Sequence, residues 1–160
     1  MDPKQFKPAS VTAQALGWVD DKTRAVTPAL HPSTTYVRDP DNQYRSGRGY
    51  IRADNPSFDQ AEALLNHLEQ GAGAMLFSSG MAAATAVFLS LKPGDHVVAP
   101  KVMYWGLRSW LQGFATEWGL KIELVDTTDQ AVLARAIQPG RTKLVWIETP
   151  ANPTWVVTDI

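Results

Sequence analysis

From residue 58 onward, hydrophobic residues follow two alternating patterns along the chain. One pattern repeats every three or four positions, which places apolar side chains on a single face of a helix. The other is a short continuous apolar run, which is typical of a buried strand. Glycine and proline lie between the patterns and indicate turns. The predicted elements are helix 58–70, strand 74–77, helix 80–91, strand 96–99, helix 105–118, strand 122–125, helix 129–137 and strand 143–147.

This alternation predicts the fold class. Strands that alternate with helices through short links indicate repeated strand–helix–strand units. Because the strands are apolar throughout, they favour a mostly parallel α/β sheet that helices cover on both faces. Ligands of such sheets bind beyond the carboxyl ends of the strands. The loops at 78–81, 100–104 and 148–153 are therefore the candidate site loops.

The first 57 residues have a different character. They are rich in Pro, Thr, Asp and Arg and show little periodicity, so they cannot bury a core of their own. We predict an N-terminal arm over residues 1–57 and the first part of an α/β domain over residues 58–160. Tyrosines in the arm favour contact with another surface over disorder. The last predicted strand is followed by a loop and no closing element, so we expect a piece of a longer protein.

Composition narrows the function classes. The chain has 160 residues, of which 44% are hydrophobic and 19% charged, as in ordinary globular domains. A net charge of -1 argues against nucleic-acid and membrane partners. No apolar run is long enough to cross a bilayer, and no secretory signal is evident. The absence of cysteine excludes thiolate catalysis and cysteine-bound zinc. We expect a cytoplasmic enzyme without a metal site.

The loop Ser78-Ser79-Gly80-Met81 is a candidate anion site. A strand ends in small residues and a helix begins at once, so backbone N–H groups can approach a phosphate at the positive end of the helix dipole. The alternative is an ordinary turn in which a serine caps the helix. The loop matches neither the P-loop nor the dinucleotide-binding glycine motif.

Two further loops carry candidate residues. Tyr104 follows a predicted strand, where a bound ring could stack on it. Asn152 lies between two prolines, and its amide could hydrogen-bond a ligand oxygen. The alternatives are a half-buried tyrosine at a helix start and an asparagine in a common turn.

In the arm, Tyr50 and Arg52 point the same way if the backbone is extended, and together could clamp a phosphate. Otherwise they are incidental residues of a solvated arm.

These features occur together with several other short motifs, in order along the chain. The motifs are Tyr50-x-Arg52-x-x-Asn55-Pro56, Leu68-Glu69, Ser79-Gly80-Met81-Ala82, Gly94-Asp95-His96-Val97-Val98, Tyr104-x-Gly106 and Glu148-Thr149-Pro150-Ala151-Asn152-Pro153. From about residue 24 onward the sequence thereby resembles the Cys/Met metabolism family of pyridoxal 5'-phosphate (PLP) enzymes. That family includes cystathionine γ-synthase, cystathionine β- and γ-lyases, methionine γ-lyase and O-acylhomoserine sulfhydrylases.

The resemblance implies a fold and a set of roles. The fold is the large domain of fold-type I PLP-dependent transferases (aspartate aminotransferase-like), incomplete here and preceded by an extended N-terminal arm. The implied cofactor-binding residues are Tyr50, Arg52, Ser79, Gly80, Met81, Tyr104 and Asn152. Backbone N–H groups of the helix start would bind the PLP phosphate. The tyrosine at 104 would stack on the pyridine ring and assist proton transfer as the catalytic residue, and the asparagine would contact the ring's 3-oxygen.

The resemblance also implies self-association. Tyr50 and Arg52 would reach the PLP phosphate of a neighbouring subunit, in a homodimer or homotetramer. The sequence departs from the family pattern at Trp105, where a smaller residue is usual. The family's aspartate for the pyridine nitrogen and its Schiff-base lysine, within Ser-x-Thr-Lys, have no counterpart here. Lys143 follows a threonine but begins a predicted strand, so we reject it as that lysine.

The function implied for the whole protein is a transsulfuration-type reaction of methionine and cysteine metabolism. We expect γ-elimination or γ-replacement on homoserine- or cystathionine-related amino acids, as in cystathionine γ-synthase and γ-lyase. The nearest alternatives are a cystathionine β-lyase and an O-acylhomoserine sulfhydrylase. An alternative of another class is an inactive fragment that binds PLP or phosphate, because the chain lacks the catalytic lysine. An unrelated phosphate-binding α/β domain is disfavoured by the joint motifs.

Overall fold

The computed structural model describes residues 6–160, which form two compact units. One unit extends to Leu76, and the other runs from Phe77 to Ile160. The first contains helix α1 (Pro8–Ala13), a short 3-10 helix (Ala15–Gly17) and helix α2 (Pro56–Leu68). The division of the chain at residue 57 into an arm and a domain stays a prediction. No helix among the described residues is long and apolar enough to cross a membrane.

The segment before α2 is attached to the start of that helix by side chains. Asn55 is only 6% exposed, and its carbonyl oxygen accepts the backbone N–H of Ser57 at 2.8 Å, which caps α2. Its amide donates to the carbonyl of His31 at 3.1 Å, while the N–H of His31 donates to the Ser57 hydroxyl at 2.8 Å. A polar cap thus fixes the segment, since it has little apolar surface to bury.

The second unit contains the sheet and its helices. Its elements are α3 (Gly80–Leu89), β1 (His96–Pro100), α4 (Trp105–Trp110), a π-helical turn (Leu111–Ala115), α5 (Thr116–Trp118), β2 (Lys121–Val125), α6 (Gln130–Ala136) and β3 (Thr142–Val145). The strands are parallel in the order β2–β1–β3. The strand–helix alternation therefore forms the parallel sheet that the sequence predicts.

Strand β1 is the centre of the core because both of its faces are covered. Val97 and Ala99 point to one face and belong to the cluster that contains Phe88 of α3. Val98 points to the other face and packs in a second cluster with Val125. All five residues of β1 are buried, as expected for a continuous apolar run in a parallel sheet. The central strand fixes the edge at which the site loops emerge.

A buried histidine ties the three strands together at the opposite, amino edge of the sheet. His96 is 5% exposed, and its Nδ1 lies 2.8 Å from the hydroxyl of Thr142 on β3. Its Nε2 lies 3.2 Å from the carboxylate of Glu123 on β2. A buried imidazole needs partners for both nitrogens. These contacts satisfy that need within the first residues of the sheet.

Two predicted elements differ from the structure. Residues 74–77 are not a strand: they form no strand pairing with the described chain, and the N–H of Leu76 donates to the Glu62 carboxylate at 2.7 Å. An apolar run forms a strand only where a neighbour accepts its backbone hydrogen bonds. The helix predicted over 105–118 is interrupted by a π-helical turn, where the hydroxyl of Thr116 donates to the carbonyl of Leu111 at 2.7 Å.

Candidate active site

The start of helix α3 offers free backbone donors at the carboxyl side of the sheet. Ser79 is the N-cap, and its hydroxyl accepts the N–H of Ala82 at 3.1 Å. The next two N–H groups, of Gly80 and Met81, have no hydrogen-bond acceptor among residues 6–160. The serine thus caps the helix, as one interpretation predicted, and two donors at the positive end of the helix have no acceptor in the described chain; the anion site itself stays a prediction.

The space above these donors is open. A Cβ placed on Gly80 would meet no atom within 4 Å, so the backbone there can be approached closely. The helix start faces a cavity of about 570 Å³, within the range of small-molecule sites. The residues that line it include the start of α3 and the ends of two loops, namely Ser79, Gly80, Met81, Tyr104, Trp146 and Glu148. A phosphate with an attached ring fits both the donors and the volume.

Tyr104 lies at this cavity as the N-cap of α4, just beyond the carboxyl end of β1. The residue is 41% exposed, and its hydroxyl forms no hydrogen bond with any of residues 6–160. An ideal Cβ on Gly106 would lie 2.7 Å from Cε1 of this ring. The glycine is therefore needed for the ring to lie over the first turn of α4. Trp105, the departure from the family pattern, is 73% exposed and does not line the cavity.

Sequence reasoning missed the role of Glu148. Its Oε2 accepts the backbone N–H of Tyr104 at 2.8 Å, and its Oε1 accepts the indole N–H of Trp146 at 3.3 Å. The carboxylate thereby links the loop after β3 to the loop after β1. One feature of the sequence could have indicated Glu148 as a site residue: it is acidic and follows an apolar strand directly, at the edge of the sheet where ligands bind. Its partner lies 44 positions away, so the bond itself is not visible in the sequence.

Asn152 lies in the loop after β3 but away from the cavity. It is exposed and is not among the residues that line the space above α3. The peptide bonds Thr149–Pro150 and Asn152–Pro153 are cis, and Ala151 pairs with Val156 in an isolated antiparallel bridge. The Asn152 amide forms no hydrogen bond with any of residues 6–160, and its contact with a ligand stays a prediction.

Tyr50 and Arg52 lie in the first unit and contact each other. The guanidinium carbon of Arg52 lies 5.1 Å from the centre of the Tyr50 ring, and its Nη2 lies 3.5 Å from the phenol oxygen. The expectation of extended backbone is wrong: residues 51–53 form a turn, because the N–H of Ala53 donates to the carbonyl of Tyr50 at 3.2 Å. The turn nevertheless brings the phenol and the guanidinium together, with both side chains exposed.

A neighbouring ion-pair cluster holds this turn. Arg48 pairs with Asp54 and with Asp59 in the first turn of α2. The hydrogen bond that the Arg48 guanidinium donates to the Asp59 carboxylate is the main reason that the pKa of Arg48 is raised. Two nearby carboxylates are thereby engaged by Arg48, whereas Arg52 forms no ion pair within residues 6–160. Arg52 is the guanidinium of this turn that an external anion can reach.

A carboxylate also lies at the end of β2. Asp126 accepts hydrogen bonds from the hydroxyl and the N–H of Thr128, at 2.6 Å and 3.0 Å. These bonds lower the pKa of Asp126. It lines a second cavity of about 180 Å³, which Glu148 also borders. The carboxyl edge of the sheet thus has backbone N–H donors at the start of α3 and a carboxylate beyond the end of β2.

Comparison with known proteins gives consistent matches. The sequence model of the family described as Cys/Met metabolism PLP-dependent enzyme matches residues 10–160. The cystathionine gamma-synthase of Mycobacterium tuberculosis is 39% identical over 142 residues, which are 88% of this chain and 36% of that protein. The cystathionine gamma-lyase of Homo sapiens is 39% identical over 138 residues, 86% of this chain and 34% of that protein. The chain thus spans little more than a third of these relatives.

Solved structures give the same picture. The crystal structure of metB from Corynebacterium glutamicum has a TM-score of 0.90 and 34% identity, covering 99% of this chain and 41% of that one. Cystathionine gamma synthase from Xanthomonas oryzae pv. oryzae, in complex with aminoacrylate and cysteine, has a TM-score of 0.86 and 33% identity. The match covers 96% of this chain and 40% of that one. These likenesses confirm the predicted fold class, the large domain of fold-type I PLP-dependent transferases.

Proposed function

Because the chain belongs to the Cys/Met metabolism PLP-dependent enzyme family, we propose that the whole protein is a transsulfuration-type enzyme. It catalyses γ-elimination or γ-replacement on homoserine- or cystathionine-related amino acids. The observation that carries the proposal is the cavity where two unpaired backbone N–H groups of α3 and the ring of Tyr104 face the same space. The names of the similar proteins, cystathionine gamma-synthase and gamma-lyase, favour the γ reaction.

The residues at the start of α3 fit the cofactor's phosphate. PLP, when bound, supplies an electron sink for the α-carbon of an amino acid. The N–H groups of Gly80 and Met81 donate to the phosphate, at the positive end of the helix dipole. Ser79 keeps this end of the helix in place by capping it. Charge-assisted hydrogen bonds of this kind contribute about 1.5–3 kcal/mol each.

Tyr104 supports the cofactor's ring and serves as the catalytic residue of this chain. Its ring stacks on the pyridine, an arrangement worth about 0.5–1.5 kcal/mol beyond area burial. Its phenol oxygen holds a proton that can be passed to or taken from the substrate. The support for this role is the ring's position at the cavity and the space that Gly106 leaves for it.

Asn152 donates its amide to the 3-oxygen of the ring. The support is its exposed position in the loop after β3, in which Glu148 lines the cavity. Replacement of Asn152 by aspartate, which cannot donate, is expected to weaken PLP binding. The same affinity in the variant and the original protein would remove Asn152 from the set of cofactor-binding residues.

Tyr50 and Arg52 bind the PLP phosphate of a neighbouring subunit, in a homodimer or homotetramer. The support is the exposed pairing of phenol and guanidinium in one turn and the engagement of nearby carboxylates by Arg48. Residues 1–57 form the arm that reaches the neighbour. Sedimentation velocity on the purified protein tests the assembly, and a monomer that keeps PLP with full affinity would contradict it.

The clamp has its own test. Arg52→Ala is expected to weaken PLP retention, whereas Arg24→Ala, which removes an exposed arginine of the same unit, is expected to leave retention unchanged. Arg52→Lys keeps the charge but loses the two-pronged geometry, so it is expected to fall between them. Equal PLP retention in the original protein and the three variants would show that Arg52 is a surface residue only.

The reaction is tested by its keto-acid product. With cystathionine and water, γ-elimination gives cysteine, ammonia and 2-oxobutanoate, while β-elimination gives homocysteine, ammonia and pyruvate. With an O-acylhomoserine, γ-replacement by cysteine gives cystathionine, and replacement by sulfide gives homocysteine; each releases the acyl group as its carboxylate. We expect 2-oxobutanoate or cystathionine from the whole protein with PLP. Pyruvate would favour a β-lyase, and PLP binding without any product would favour an inactive binding protein.

A cytoplasmic location completes the proposal. Its support is the proposed reaction on free amino acids, together with the similarity to cystathionine gamma-synthase and cystathionine gamma-lyase. Fractionation of cells that express the whole protein tests it, by immunodetection in the cytoplasmic and membrane fractions. Recovery in the membrane fraction would contradict it.

A further inference from the structure

The backbone N–H of Tyr104 needs an acceptor from outside its own helix. Tyr104 is the N-cap of α4, and an N-cap N–H is often bonded by a glutamate or glutamine at the third helical position. That position is Leu107, which is 2% exposed in the core and cannot accept. Glu148, from the loop after β3, supplies the acceptor instead: its Oε2 accepts the backbone N–H of Tyr104 at 2.8 Å. A capping contact is thus made between two distant loops of the sheet.

The other oxygen of Glu148 anchors the carboxylate. Oε1 accepts the indole N–H of Trp146 at 3.3 Å, and the ring of Trp146 packs on Phe88 of α3, with centroids 5.2 Å apart. One carboxylate therefore engages two donors, and its anchor belongs to the core beneath the cavity. Its charge also lies at the first turn of α4, where the helix dipole favours an anion.

We propose that Glu148 is a positioning residue, whose carboxylate holds Tyr104 in place against the cavity and so sets the affinity for a pyridine ring stacked there. The backbone of Tyr104 is held by Glu148, and its ring rests on Gly106. Displacement of either support moves the ring. The part that concerns PLP rests on the proposed function; the coupling between Glu148 and Tyr104 does not.

The first test measures PLP affinity of the purified protein. Glu148→Gln keeps the size of the side chain but has one acceptor oxygen for two donors, so PLP binding is expected to weaken about tenfold. Glu117→Gln, at an exposed glutamate of α5, is the matched control and is expected to bind like the original protein. In a Tyr104→Ala background, Glu148→Gln is expected to cause no further loss. An equal loss in that background would overturn the positioning role.

The second test needs no cofactor. In the apo protein, amide hydrogen exchange at Tyr104 is expected to accelerate in Glu148→Gln, and the indole N–H resonance of Trp146 is expected to shift. Neither change is expected in Glu117→Gln. Unchanged exchange at Tyr104 would overturn the proposed coupling.

The two tests separate the inference from the proposed function. If the original protein binds no PLP but exchange at Tyr104 responds to Glu148→Gln, the proposed function fails and the coupling stands. If exchange responds while PLP affinity stays the same, Glu148 caps the helix without positioning the ring, and the inference fails. Loss of PLP affinity in the Glu117 control as well would also count against it, because the effect would then not be specific to Glu148.

Discussion

Adding one methyl group at Gly106 tests how tightly the site fixes Tyr104. In Gly106→Ala, the new Cβ would lie 2.7 Å from Cε1, 3.1 Å from Cζ and 3.2 Å from the hydroxyl oxygen of Tyr104. Carbon atoms in contact prefer about 3.5–4.0 Å, so the ring must move by about 1 Å. Because only a side chain has to give way, the protein is expected to fold with the ring displaced from its place at the cavity.

The magnitude follows from what the displaced ring loses. Stacking is worth about 0.5–1.5 kcal/mol, so PLP affinity is expected to fall about two- to tenfold. Alanine is a better helix former than glycine by up to about 1 kcal/mol, so the free energy of unfolding is expected to stay the same or rise. Reduced ligand affinity without reduced stability is the signature of a displaced site residue.

The assay combines PLP titration, followed by tryptophan fluorescence, with urea unfolding of the apo protein. Gly113→Ala is the matched control, because Gly113 lies in the π-helical turn that continues α4, and a Cβ there meets no atom within 4 Å. It is expected to leave PLP affinity unchanged. Unchanged affinity in Gly106→Ala, or a loss of equal size in both variants, would show that the position of the Tyr104 ring does not set the affinity for PLP.

Two further predictions concern the stability of the scaffold. Ser79→Ala removes the cap of α3 and is expected to lower the free energy of unfolding by about 1 kcal/mol. Ser79→Gly is expected to lower it by only a few tenths of a kcal/mol. Equal losses of the two variants in urea unfolding would contradict a capping role. Phe88→Ala empties the centre of the core, where Phe88 is 0% exposed, and is expected to cost about 3–5 kcal/mol. A cost below about 1 kcal/mol would show that this ring is not packed as described.

The central strand illustrates what the sequence can predict. The apolar run around Val97 and Val98 indicated a strand buried on both faces, and the two clusters that cover β1 confirm it. Burial of this kind depends on the local pattern of side chains, which the sequence shows directly. Residues 74–77 have a similar run, but a strand also requires a partner, and that requirement is not local. The prediction of a strand there was therefore wrong.

The candidate site shows the same limit. Strand ends and small residues predicted four site residues that the structure brings to one cavity: Ser79, Gly80, Met81 and Tyr104. Their roles toward PLP stay predictions. The link between Tyr104 and Glu148 was missed because it joins two loops through a single side chain, with no periodicity to reveal it. The reason for a glycine two positions after Tyr104 likewise appears only when the ring is seen to lie on it.

The proposed function depends above all on the backbone N–H groups at the start of α3, which would hold the PLP phosphate at the cavity that Tyr104 also lines. Titration of the isotope-labelled protein with PLP, followed by backbone amide NMR, tests this anchoring. We expect the amide resonances of Gly80 and Met81 to shift most, together with that of Tyr104. Saturable binding that leaves these three resonances unmoved, with the shifts elsewhere in the protein, would contradict it.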